Sequence, residues 1–246
     1  MDIGASGWGR RYFDYSDVID LEREKYKYMS KIEWKPGNMV YPIPAVMVSV
    51  RDKEGVDNIL TVAWVGTVCT NPPMVSISVR PERYSYKAIE ETGEFVINLT
   101  TEELAYATDF CGVRSGRDYD KFKECKLTKE EASHVSVSMI QESPVNIECK
   151  VREAHKYGSH TMFTADVLAV HVNDEYMNEK GKFCLENANP IVYSHGTYFT
   201  MGEELGTFGY SVKKPNEKTI RSVKAEKKST ETTRTKPRWK KSRKKK

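Results

Sequence analysis

Residues 74–85 read Met74-Val75-Ser76-Ile77-Ser78-Val79-Arg80-Pro81-Glu82-Arg83-Tyr84-Ser85. Successive side chains of an extended chain point to opposite faces. Val75, Ile77 and Val79 therefore share an apolar face, and Ser76, Ser78 and Arg80 a polar one. This period of two predicts a half-buried strand over Met74–Arg80. Pro81 stops the strand, and Tyr84 or Ser85 opens a helix to Thr92, where Gly93 supplies a left-handed terminator. A cation at the strand end, a second at Arg83 and a hydroxyl at a helix start then meet in one small volume. Free N–H groups and the positive helix end suit that place to a phosphate.

The same texture extends outward. Ala45–Arg51 and Ile59–Val68 predict strands on either side of an Asp52-Lys53-Glu54-Gly55 hairpin turn, and Asn71-Pro72-Pro73 breaks the chain before Met74. Downstream, strands are expected at Glu94–Leu99, Val145–Arg152, Thr161–Val172 and Ile191–Tyr193. A helix over Glu102–Phe110 carries the spacing of a capping box with Thr100 as cap. A further short helix is expected over Ser16–Met29, capped by Ser16. Strands outnumber helices, connections are short, and no repeat is present. These features predict a mainly β (α+β) domain, a β-barrel with a few peripheral helices packed outside it.

Charge divides the chain. Its 246 residues carry a net charge of +4, but residues 213–246 hold 16 lysines and arginines against three glutamates, a net of +13. Residues 1–212 are left at −9. The basic segment has four apolar residues in 34, too few to offset the entropy of ordering, and is expected to be disordered. The expected organisation is an extension over residues 1–37, a barrel domain over 38–212 and a basic tail over 213–246.

Other classes find no support. The cysteines at 69, 111, 125, 149 and 184 form no CxxC and no His-paired metal spacing. That pattern argues against a disulfide framework or a zinc module and suits a reducing cytosol. Cys69 and Cys111 read as inert packing residues. No apolar run reaches the roughly 18–20 residues of a membrane span, and the first residues lack a signal peptide's apolar core. A cytoplasmic protein is the expectation. There is no P-loop, HExxH or GxSxG, and Gly7-Trp8-Gly9 follows no strand, so a Rossmann dinucleotide site is unsupported. The sequon Asn98-Leu99-Thr100 lies in an expected cytosolic strand and carries no meaning there.

Several segments share one likeness: Tyr41-Pro42-Ile43-Pro44, Asn58-Ile59-Leu60-Thr61-Val62-Ala63-Trp64, Asn71-Pro72-Pro73-Met74-Val75 and Gly93–Leu99. Ser115-Gly116-Arg117-Asp118-Tyr119-Asp120-Lys121-Phe122, Gly158-Ser159-His160-Thr161-Met162-Phe163 and Pro190-Ile191-Val192-Tyr193 continue it in order. Together they resemble the flavin reductase family of FMN-binding split barrels, flavoredoxin-like members above all, over about residues 38–212. The resemblance implies FMN as cofactor and a homodimer with the flavin near the interface. It implies that Asn58, Thr61, Ala63 and Trp64 border the flavin, with main-chain groups of 66–68 at its polar edge. It places the phosphate at Ser78, Arg80, Tyr84 and Ser85, polar contacts at Lys121 and His160, and an aromatic one at Tyr193. Arg83 has no counterpart in it. By residue type alone, Trp64 and Tyr193 read equally as packing residues, and Lys121 and His160 as surface groups.

The function implied is a flavoprotein oxidoreductase, passing electrons from NAD(P)H or a redox partner through bound flavin to free flavin or another acceptor. Family reductases hold the nicotinamide against the flavin without a Rossmann fingerprint. Two alternatives stay open. One is a non-catalytic electron carrier between proteins. The other is a barrel scaffold whose basic tail binds nucleic acid or other polyanions.

Overall fold

A computed structural model describes residues 30–212; the helix expected over Ser16–Met29 and the tail 213–246 lie outside the described residues. The chain divides into two units, Met1–Pro42 and Ile43–Lys246. In the first, residues 30–42 contain no helix or strand.

In the second unit a two-residue strand β1 (Ile43–Pro44) precedes β2 (Val46–Arg51), the Asp52–Gly55 turn and β3 (Asp57–Val62). The turn forms as read, with Gly55 at φ 84° and the Asp52 carboxylate accepting from the Val56 N–H at 2.7 Å. The strand expected over Ile59–Val68 is in fact two. β3 ends at Val62, the chain bends at Ala63-Trp64, and β4 (Val65–Thr70) begins. β5 (Pro73–Val79) follows, then helix α1 (Tyr84–Thr92) and β6 (Glu94–Asn98). α2 (Ala105–Val113) and a single turn α3 (Lys121–Glu124) come next, then the short pair β7 (Lys129–Glu130) and β8 (Met139–Ile140). The long hairpin β9 (Val145–Tyr157) and β10 (His160–Val172) precedes β11 (Ile191–Ser194) and β12 (Thr197–Thr200).

Seven strands form one antiparallel sheet in the order β3-β2-β6-β9-β10-β5-β4. Its two edge strands, β3 and β4, are joined by two residues. So short a link requires the edges to approach, and β3 indeed lies against β5. The sheet is thus curled into a barrel with an open seam. Its inner face is filled by Val48, Val50, Ile77, Phe95, Ile97 and Phe163 among others. β2 is buried on both faces: its outward Met47 packs with Ile59, Leu104, Ala107 and Phe122 beneath α2 and α3. α2 and α3 lie outside the barrel, as the sequence predicts, whereas α1 buries Tyr86, Ala88 and Ile89 in the inner cluster. β1, β11 and β12 form a separate small sheet.

Three local readings need correction. The capping box at Thr100 does not form, because the buried Thr100 hydroxyl donates to the Ala45 carbonyl instead. α2 consequently starts at Ala105, three residues late, with no side-chain cap. β9 runs five residues beyond Arg152, since pairing with β10 sustains it after its burial pattern fades. β1, β7, β8, β12 and α3 are additions that the residue pattern did not announce. Elsewhere the reading holds: β5 buries Val75, Ile77 and Val79, and α1 ends in Gly93 at φ 66°.

Candidate functional site

α1 begins after Arg83, whose backbone is extended, and no side chain caps it. The first N–H groups of a helix lack intrahelical acceptors. At this point a cleft of about 100 Å³ opens, lined by Asn58, Arg83, Tyr84, Ser85, Arg114 and Lys121 among others. Four of these were expected site residues. Arg114, Ser115 and Gly116 were not, since a polar loop 30 residues downstream gives no sign that it folds back.

Ser85 is 2% exposed, and its Oγ accepts from Asn58 Nδ2 at 2.7 Å. With that lone pair occupied, the Ser85 O–H remains to be donated into the cleft. Asn58 in turn leans on Gly116: a Cβ there would stand 2.3–2.6 Å from the Asn58 amide atoms. Only glycine leaves room. Arg83, two residues before Ser85, is tied to α2, donating from Nη1 to the Gly112 carbonyl at 3.0 Å.

Lys121, expected as a polar contact, is 4% exposed despite its charged sequence neighbours. Its Nζ donates to the carbonyls of Ile59 at 2.6 Å and Cys111 at 2.8 Å. Burial, with the charge of Arg83 adding to it, pulls its pKa down to about 8. Among the described residues no carboxylate pairs with it. A buried ammonium without a counter-ion is costly, and its third N–H is left over. Helix start, hydroxyl and two cations make a donor set that fits a phosphate dianion, with Glu82 on the rim.

A second group stands beside the cleft. Trp64, at the bend between β3 and β4, stacks on His160 with ring centroids 6.4 Å apart and planes 9° apart. The Ser78 N–H donates to the Trp64 carbonyl at 2.9 Å and holds the bend to β5. Trp64 is 38% exposed, which answers the core reading: it is a surface ring at a strand junction. Burial, then the charges of Arg80 and Arg83 against the opposing Glu82, lower the pKa of His160. Arg83 and Glu82 also line the cleft, so the two groups adjoin. Arg80 is exposed and belongs with His160 rather than with the cleft lining.

Thr61 and Tyr193 are placed otherwise. The Thr61 hydroxyl donates to the Thr108 carbonyl, tying β3 to α2. Tyr193 lies on the small sheet, packed on Tyr198 at 5.4 Å, and the Tyr198 hydroxyl reaches Asp109 of α2 at 3.3 Å. Ala63 is part of the bend itself.

A flavin reductase like domain matches residues 38–202 by family model. Flavoredoxin of Desulfovibrio vulgaris (Miyazaki F) is similar in structure, with a TM-score of 0.70 and 27% identity over 75% of this chain and 100% of that one. Flavoredoxin from Methanosarcina acetivorans gives 0.68 and 26%, with the same coverage of 75% and 100%. An uncharacterized protein of Archaeoglobus fulgidus is 32% identical over 123 residues, 50% of this chain and 70% of its own length.

Proposed function

Since the chain belongs to the flavin reductase like family, we propose that it is an FMN-dependent oxidoreductase. Electrons pass from NAD(P)H or a protein donor, through the bound flavin, to free flavin or a downstream acceptor. The observation that carries the choice of FMN is the cleft at the start of α1, where buried Lys121 has no counter-ion among the described residues. Lys121, Arg83, the Ser85 hydroxyl and the first N–H groups of α1 hold the phosphate, and Asn58 orients Ser85. Trp64, Ala63 and His160 border the ring, with main-chain groups of 66–68 toward its polar edge. Thr61 acts through its tie to α2. Arg80 and Ser78 set the charge and position of the His160–Trp64 pair, and Tyr193 contributes an aromatic contact from the small sheet.

When bound, the flavin takes up two electrons and releases them as a pair or singly; the protein supplies binding, orientation and electrostatics. His160, held below its ordinary pKa, leaves a neutral ring beside Trp64 near neutral pH. No acid–base pair or covalent nucleophile is required. A homodimer is part of this proposal. Among the described residues no helix is long and apolar enough to cross a membrane.

The visible spectrum of purified protein, with identification of the released flavin, tests the cofactor. Riboflavin binding as tightly as FMN would remove the phosphate reading. Likeness to two flavoredoxins favours a second reading, an electron carrier without turnover of its own. Anaerobic NAD(P)H oxidation with added free flavin separates the two: a reductase turns over, and a carrier does not.

A further inference from the structure

α2 buries Ala107, Thr108 and Cys111 and turns an aromatic row outward. Tyr106, Phe110 and Val113 follow at i, i+4 and i+7, so they share one helix face. Tyr106 is 73% exposed and Val113 69%. The Tyr106 and Phe110 rings stack with centroids 6.2 Å apart, and Phe110 meets the Tyr119 ring edge-on at 5.7 Å. The Arg114 guanidinium lies over the Tyr119 ring, 5.5 Å from its centroid. This row runs out of the cleft already described, because Val113 and Arg114 at its end both line that cleft.

Charge extends the same way. Lys121 and Arg83 match the two charges of one phosphate monoester, and Arg114 adds a third, exposed cation. A guanidinium over an aromatic ring still offers its N–H groups at the edge. A second phosphate, joined to the first by an anhydride oxygen, therefore meets Arg114. From Val113 back to Tyr106 is seven residues of helix, about 10 Å, a span that an extended adenosine covers. The one carboxylate beside the row, Asp109, accepts from the Tyr198 hydroxyl at 3.3 Å, which draws it toward the small sheet.

We propose that this face of α2 is an adenylate subsite, which takes the adenylate half of FAD while the flavin-side phosphate occupies the cleft. Arg114 pairs with the adenylate phosphate, and the adenine stacks on Tyr106 at the outer end of the row. The same cleft thus accepts FAD as well as FMN. Continuity selects FAD over a nicotinamide dinucleotide, since the adenylate phosphate stands one anhydride linkage from the phosphate in the cleft. The inference rests on reading that cleft as the flavin's phosphate site.

Calorimetric titration of the full chain, freed of bound flavin, with riboflavin, FMN and FAD tests it. FAD is expected to bind the wild type at least as tightly as FMN. Tyr106→Ala is expected to weaken FAD about fivefold or more, the usual loss when a base loses its aromatic platform, and to leave FMN nearly unchanged. Arg114→Gln is expected to weaken FAD more than FMN. An FAD-to-FMN affinity ratio that neither variant moves overturns the subsite, as does FAD binding far weaker than FMN. A Tyr106→Ala protein altered only in its KM for NADH, or only in its sedimentation, gives this face to the electron donor or to a second copy of the chain, and also overturns it. Riboflavin binding as tightly as FMN removes the phosphate reading, and the subsite with it. FMN tighter than riboflavin, with the ratio unmoved, removes the subsite alone.

Discussion

Lys121 reports on the cleft through its proton. Its folded pKa of about 8 lies below the ordinary 10.5. Between those values the unfolded chain keeps the proton and the folded, cofactor-free chain has released it. Stability of the cofactor-free protein should therefore rise with pH through that window. FMN affinity should move the other way, falling about tenfold per pH unit above about 8 as the phosphate loses its cation, while riboflavin affinity stays nearly flat. Titrating both ligands between pH 7 and 10 checks this, and parallel curves would remove Lys121 from the phosphate. The two strand-end arginines separate by the same logic. A charge-assisted hydrogen bond is worth about 1.5–3 kcal/mol, so Arg83→Ala should weaken FMN by about 10- to 100-fold and riboflavin far less. Arg80→Ala should cost FMN less than Arg83→Ala and instead raise the pKa of His160, which its charge now lowers, as a ring-proton NMR titration would show.

At the scale of elements, the loop between α2 and α3 matters because Gly116 lets Asn58 of β3 reach Ser85 of α1. Gly116→Ala drives a methyl into the Asn58 amide. Overpacking of this kind costs about 1–3 kcal/mol, and loss of the Asn58–Ser85 bond should weaken FMN as well. Denaturant unfolding with paired binding curves would show whether affinity falls together with stability; wild-type affinity would remove Ser85 from the site. None of this coupling was legible in sequence, because Gly116 sits in a polar loop and its reason for being glycine lies on another strand. The alternation in β5 and the Gly93 terminator were legible because each is a local pattern with a local cause. The bend at Ala63-Trp64 was hidden for the opposite reason: residues 57–70 keep β-forming composition throughout, and only closure of the sheet breaks them in two. Thr100 misled because its hydroxyl found a carbonyl outside its own helix, and Lys121 because burial of a charge depends on what folds over it.

For the whole molecule, charge is distributed so that residues 213–246 bear +13 against −9 elsewhere. Deleting them should leave flavin content unchanged and abolish any association with polyanions. For duplex DNA the logarithm of affinity should fall with the logarithm of salt at about −0.9 per phosphate neutralised. A truncated protein that still binds DNA would place the basic contact on the barrel. The barrel's seam has its own consequence for how copies of this chain behave together. β3 is an edge of the seven-stranded sheet, and an exposed edge offers unpaired backbone groups to any strand that meets it. Here the Ile59 carbonyl is occupied by Lys121, and Thr61 is tied to α2. The lysine read as the phosphate's cation thus also guards against edge-to-edge aggregation. Lys121→Met should raise light scattering in concentrated solution at temperatures where circular dichroism still shows the native fold, and FMN should not reverse it.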